Sequence, residues 1–142
     1  MAKFNIVGFG DVEKQLLRRE QAAAEAAPEM LKAGAKVLIK AQRDSINRMA
    51  RDKGTLANSI TATSVRSGEA GSYVDVYPKG NQPHGTPRRG KKGHVSNAQV
   101  GFMLEYGSST MTPVPWMTEA NERSHETVHK AMREVWEEKQ GG

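Results

Sequence analysis

The stretch Gly101–Ala120, GFMLEYGSSTMTPVPWMTEA, constrains the fold of this chain more than any other. It is the densest run of apolar, aromatic and turn-forming residues in an otherwise polar sequence. Phe102, Met103 and Tyr106 continue a helix, and Gly107 suits a left-handed C-terminal cap. Pro113 and Pro115 rigidify the following turn, and Pro115 fits the first position of a new helix. The stretch therefore reads as a structural joint between two helices, built from Leu104, Glu105, Tyr106, Gly107, Pro115 and Trp116. Glu105 is expected to accept hydrogen bonds from nearby backbone or basic groups. No catalytic grouping lies in the stretch.

The entry into this joint is sharply marked. Ser96 and Gln99 have the spacing of a capping box, and Val95 with Val100 that of the flanking hydrophobic staple. The exit is a long helix to about Lys139. On it, Trp116, Ala120, Ser124, Thr127, Ala131 and Val135 recur every three or four residues and form a narrow stripe of mostly small side chains.

Upstream, residues 3–9 read as a short strand ended by Gly8 and Gly10, with Asp11 as an N-cap. Val12 to about Arg51 is helical in pattern, and Pro28 implies either a kink or two consecutive helices. Met30, Leu31, Gly34, Val37, Leu38, Ala41 and Met49 mark the apolar stripe, with Lys32, Lys36, Lys40 and Arg43 facing elsewhere. Gly34 in that stripe implies a close approach by another backbone. Gly54 stops the helix, and Thr55–Ile60 makes one helical turn capped by Thr55. Residues 60–67 and 72–78 alternate as two strands of a hairpin, joined through Gly68 and Gly71 and ended by Pro78. The expected fold is α+β. A long N-terminal helix or helix pair and a long C-terminal helix pack on a small antiparallel sheet, in one domain over residues 1–142.

Composition bounds the function. Only 37% of residues are hydrophobic and 6% aromatic, so the core is modest and neighbouring subunits can add stability. There is no cysteine, which excludes disulfides, thiolate zinc sites and cysteine nucleophiles. No apolar run is long enough for a signal peptide or a membrane span, so a soluble protein made in the cytosol is expected. The net charge of +5 is concentrated in residues 79–94, where Lys79, Arg88, Arg89, Lys91 and Lys92 stand without an acidic neighbour. This long loop has two readings. Its cations meet phosphates or an acidic protein surface, or they are simply solvated. It carries no aromatic residue to stack on bases, so single-strand readout is unsupported.

One sequence motif calls for chemistry. His125-Glu126-Thr127-Val128-His129 matches H-E-x-x-H on a helix, the pattern of zinc hydrolases. A catalytic zinc also needs a third protein ligand. Met132 and Val135 stand where the metzincin extension needs glycine and histidine, and the remaining residues continue the same helix. A solvated helical face is the better reading, and no cofactor is called for.

Taken in order, Gly54-Thr55-Leu56-Ala57-Asn58-Ser59-Ile60, the hairpin, Leu104-Glu105-Tyr106-Gly107 and Pro113-Val114-Pro115-Trp116-Met117 resemble a family of tailed-bacteriophage neck and tail-completion proteins. The resemblance covers most of the chain. It implies a non-enzymatic virion protein that joins head to tail, as a neck, connector, tail-completion or terminator component. It implies a ring homo-oligomer around the DNA channel, contacting the portal-side connector and tail proteins after assembly in the host cytoplasm. On that reading the basic loop reaches a neighbouring subunit or ring, or faces the DNA. A stand-alone basic duplex-DNA-binding protein is the alternative, and a zinc hydrolase the lesser one.

Overall fold

The computed structural model describes residues 9–49, 54–82 and 95–141. Four helices and four short strands follow in the order α1 (Phe9–Met49), α2 (Thr55–Ser59), β1 (Ile60–Ala62), β2 (Arg66–Gly68), β3 (Gly71–Tyr73), β4 (Val76–Pro78), α3 (Asn97–Tyr106) and α4 (Trp116–Gly141). The fold is α+β, as the patterning predicts, with the helices dominant.

The long helices α1 and α4 pack antiparallel. Ser45 meets Trp116 and Glu119, Gln42 donates to Asn121 at 3.1 Å, and Glu29 pairs with Lys139 at 3.0 Å. Between these contacts, a Cβ placed on Gly34 would lie 3.1 Å from Met132 and 3.3 Å from Val128. The close neighbours at Gly34 are thus side chains of α4, where the sequence pattern implied a backbone. Two further expectations are corrected on this seam. The deeply buried face of α1 runs through Ala26, Ala35, Gln42, Ser45 and Ile46, one step round from the apolar stripe, because polar side chains there bond across to α4. On α4, Thr127 is exposed, and the packed stripe passes through Val128 instead.

Helix α1 continues through Pro28. A proline inside a helix removes one hydrogen bond and costs about 3 kcal/mol. Packing on both sides offsets it here, since Ala26 is fully buried and Gly34 is clamped by α4. Asp11 lies within the first turn of α1 and is not its N-cap. The expected strand at residues 3–9 lies outside the described residues up to position 8, and Phe9 already belongs to α1.

The core sits where the C-terminal half of α1 meets α2, β1 and the start of α4. Ile46, Leu56, Ala57, Ile60 and Trp116 are buried there, with Ile39, Val76, Val100, Leu104 and Met117 packed around them. Each such large side chain contributes roughly 1.5–3 kcal/mol by leaving water. Arg43 does not face away. Its guanidinium donates to the carbonyls of Ala57 and Ile60 at 3.1 and 2.9 Å and ties α2 and β1 to α1. Gly54, with φ 87°, takes the N-cap position of α2, so Thr55 lies inside the helix and caps nothing.

The hairpin forms as two short antiparallel ladders, β1 with β4 and β2 with β3. Ala62 pairs with Val76 and Arg66 with Tyr73, so residues 63–65 on one strand oppose only 74 and 75 on the other. The extra residue is a bulge, which bends the hairpin and breaks the continuous strands that alternation implied. Ile60 at the base is buried, whereas β2 and β3 at the tip are exposed throughout.

Candidate functional site

Helix α3 begins as the sequence predicts. Ser96 accepts from the Gln99 amide at 3.1 Å, and Gln99 accepts from the Ser96 amide at 3.2 Å. At its end the Gly107 amide still bonds to the Met103 carbonyl at 2.8 Å. Gly107 has φ 75° and ψ −175°, so it is not in the left-handed helical well expected of a cap but in a region reserved almost wholly for glycine. A Cβ there would lie 2.7 Å from the Met111 carbonyl oxygen and 2.9 Å from the Pro113 ring. Residues 108–111 close a tight turn through reciprocal Ser108–Met111 bonds, and the Val114 amide returns to the Leu104 carbonyl at 2.6 Å. The chain thereby doubles back onto the end of α3.

The entry to α4 explains Glu105. The Glu119 amide bonds to the Pro115 carbonyl at 3.1 Å, so Pro115 is the N-cap and Trp116 the first helical residue, one position later than expected. Proline has no side-chain oxygen to satisfy the free amides of the first turn. Glu105 does so from another helix. The residue is 5% exposed, and its carboxyl group accepts from the Met117 amide at 2.7 Å, from the Thr118 amide at 3.1 Å, and from the Thr118 hydroxyl. Beside it Trp116 is fully buried and donates its indole N–H to the Gly101 carbonyl at 3.0 Å. A Cβ on Gly101 would stand 3.1 Å from the indole, so glycine there makes room for the ring.

The structure thus brings Leu104, Glu105, Gly107, Pro115 and Trp116 together. Tyr106 points out. It is 67% exposed and packs at a tilt against Phe102, itself 63% exposed, with ring centroids 4.7 Å apart. Sequence reasoning grouped Tyr106 with the joint and did not single out the outward aromatic pair. Their spacing of four residues on α3 was the available signal.

Glu119 links the same turn to α1. The Ser45 hydroxyl lies 2.8 Å from the Trp116 carbonyl and 2.5 Å from the Glu119 carboxylate, and Arg48 pairs with the same carboxylate. The hydrogen bond from Ser45 holds the Glu119 carboxyl below the ordinary carboxylate range. Burial opposes this, while Arg48 and Arg123 assist. A carboxylate held lower when folded stabilises the protein above its unfolded pKa. That stabilisation is lost as pH falls through the folded value. Acid scans of the melting temperature should therefore fall less steeply for Glu119→Gln than for the parent, and identical slopes would remove Glu119 from the account.

The basic loop is partly placed. Lys79 is exposed, and its backbone bonds to the Ser59 carbonyl and to the Asn97 side chain at 2.9 Å each. The Gln82 amide bonds to the Val95 carbonyl at 2.8 Å, and the Asn97 amide to the Gly80 carbonyl at 2.9 Å. The two stems of the loop are therefore clamped together, with the buried Asn97 at their centre. Arg88, Arg89, Lys91 and Lys92 lie outside the described residues. His125 and His129 are both exposed on α4, edge to face with ring centroids 4.4 Å apart. Among the described residues no group of three or more His, Asp or Glu side chains is placed to hold a metal ion.

The model of the HK97-gp10-like family, described as "Bacteriophage HK97-gp10, putative tail-component", matches residues 10–107. The chain belongs to this family. No curated protein and no solved structure matches it. The matched span of the HK97-gp10-like family opens near the start of α1 and closes on Gly107 at the end of the Leu104-Glu105-Tyr106-Gly107 run. Helix α4 lies beyond it, yet α4 is held by Glu105 and Trp116 against elements inside it. The resemblance to phage neck and tail-completion proteins read from the sequence is in agreement with this family. No helix among the described residues is long and apolar enough to cross a membrane.

Proposed function

We propose that the chain is a structural component of the head–tail junction of a tailed phage, assembled as a ring around the DNA channel. Its membership of a phage tail-component family carries this reading. The modest core and the uncovered apolar side chains on α1 and α3 support it, because a protein that works in an assembly keeps surface for its neighbours. In this role the joint of Leu104, Glu105, Gly107, Pro115 and Trp116 works as a scaffold. It fixes α4 on α1 and presents the aromatic side of α3 outward. Its neighbours are the portal-side connector, the tail proteins and other copies of the chain.

Lys79, Arg88, Arg89, Lys91 and Lys92 form the contact to a partner or to DNA in this proposal. Changing Arg88, Arg89, Lys91 and Lys92 together to serine should reduce the yield of joined, infectious particles at least tenfold, scored by plaque titre and by free heads and tails in negative stain. An unchanged yield would remove the loop from the joining step.

A stand-alone duplex-DNA-binding protein is the second reading. Lys32, Lys36 and Lys40 favour it, since they are exposed at four-residue intervals on α1 and form a basic ridge there. That reading requires micromolar binding to duplex DNA that weakens steeply with salt.

A further inference from the structure

Among the described residues, and apart from Tyr73 and Tyr77 on the hairpin, the exposed large apolar side chains form two clusters at opposite ends of α1. The first is on the N-terminal arm of α1. Every residue from Gly10 to Gln21 is exposed, and Val12, Leu16 and Leu17 are 53%, 63% and 51% accessible. Helix α4 ends at Gly141, just past the Lys139–Glu29 pair, so the exposed arm of α1 before Ala22 projects beyond it. The second patch is the outer side of α3, where Phe102, Met103 and Tyr106 are 63%, 44% and 67% accessible. Helix α3 sits near the other end of α1, because Trp116 bonds both to Gly101 and, through its carbonyl, to Ser45. From Leu16 to Ser45 a straight helix spans about 45 Å. The arm cannot fold back to cover α3 within one chain.

We propose that the arm of one copy lies across the Phe102–Tyr106 pair of the next. This rests on the oligomeric reading above and names the surfaces that make the contact. A head-to-tail contact joins two different patches and closes into a ring when the rotation between subunits permits. It covers both patches on every copy. An arm-to-arm dimer leaves α3 bare, and an α3-to-α3 dimer leaves the arm bare. The chemistry is matched: Val12 and Leu16 are one turn apart on the arm, and the two rings, tilted against each other, offer an apolar surface with little side-chain entropy to lose.

The absence of native cysteine makes the test clean. Full-length Leu16→Cys and Met103→Cys variants are purified, mixed, oxidised and run on non-reducing gels. The mixture should give a covalent dimer that neither variant gives alone. The double variant Leu16→Cys/Met103→Cys should give a ladder of higher multimers. Adding Phe102→Glu to the double variant should cut the ladder at least tenfold while helical circular dichroism stays unchanged. Dimers from Leu16→Cys alone in equal yield, or a double variant that stays monomeric at about 100 μM, would overturn the contact. So would a ladder that survives Phe102→Glu. Failure here with the protein still found at the head–tail junction would refute this contact and leave the proposed role intact. A full ladder from a protein absent from virions would do the reverse.

Discussion

Trp116→Ala is expected to destabilise the protein by about 3–5 kcal/mol, the usual cost of emptying a core site of a large aromatic side chain. Trp116 is fully buried among Ile46, Leu56, Ala57 and Ile60. It belongs to α4 yet packs on α1, α2 and β1, so one truncation loosens several elements. The loss also removes the indole N–H that the Gly101 carbonyl accepts in addition to its helical bond, which adds the cost of one hydrogen bond. Urea denaturation should show a lower midpoint with little change in slope. A loss below 1 kcal/mol would mean that the site collapses and that Trp116 does not organise the core. Trp116→Phe keeps most of the burial but not the N–H donor, and should fall between the two.

Glu105→Gln should cost about 2–3 kcal/mol, although the side chain keeps its shape. Glu105 supplies two acceptor oxygens to two backbone amides and one hydroxyl. Glutamine has one acceptor oxygen, so at least one of these donors loses its partner. The negative charge at the positive end of the α4 dipole is lost as well. A fall in melting temperature of roughly 10 °C follows from the usual entropy of unfolding for a domain of this size. Hydrogen exchange should localise the effect to the amides of Met117 and Thr118. A variant with parental stability and parental protection at those two amides would show that α4 does not depend on this cap.

What the sequence reveals follows the distance over which each device acts. The Ser96–Gln99 capping box is contained in four residues, and it stands where the spacing puts it. The Glu105 role as an acceptor was readable from its place in a helix end. Its donors were not, because they lie 12 and 13 residues away across a turn whose path depends on Gly107. Pro115 has the right residue type for a helix start, but its position as N-cap becomes clear only once Glu105 fills the vacant capping role. Pro28 implied a kink or a break between two helices, and the chain remains one helix through it, with Ala26 and Gly34 packed on either side. Arg43 looked like an outward polar residue. It instead reaches the carbonyls of Ala57 and Ile60 on other elements, which periodicity alone does not disclose. The hairpin was legible from its glycines, whereas its bulge depends on the pairing of both strands.

The outward Phe102–Tyr106 pair shows the same limit from the other side. An apolar residue on a helix is ordinarily assigned to the core of its own chain. On α3 the inward positions are already filled by Gly101, which admits Trp116, and by Glu105, which caps α4. The aromatic residues are thereby left on the surface. The joint and the outward patch are thus two consequences of one short helix.

Localising the protein in purified particles tests the central claim most directly. With an epitope tag fused to the protein and gold-labelled antibody, negative-stain images of tailed virions should show label at the junction of head and tail. Detached tails or heads should carry it at the end that forms that junction. Label confined to the distal tip, or particles of full infectivity that lack the protein altogether, would contradict a role in joining head to tail.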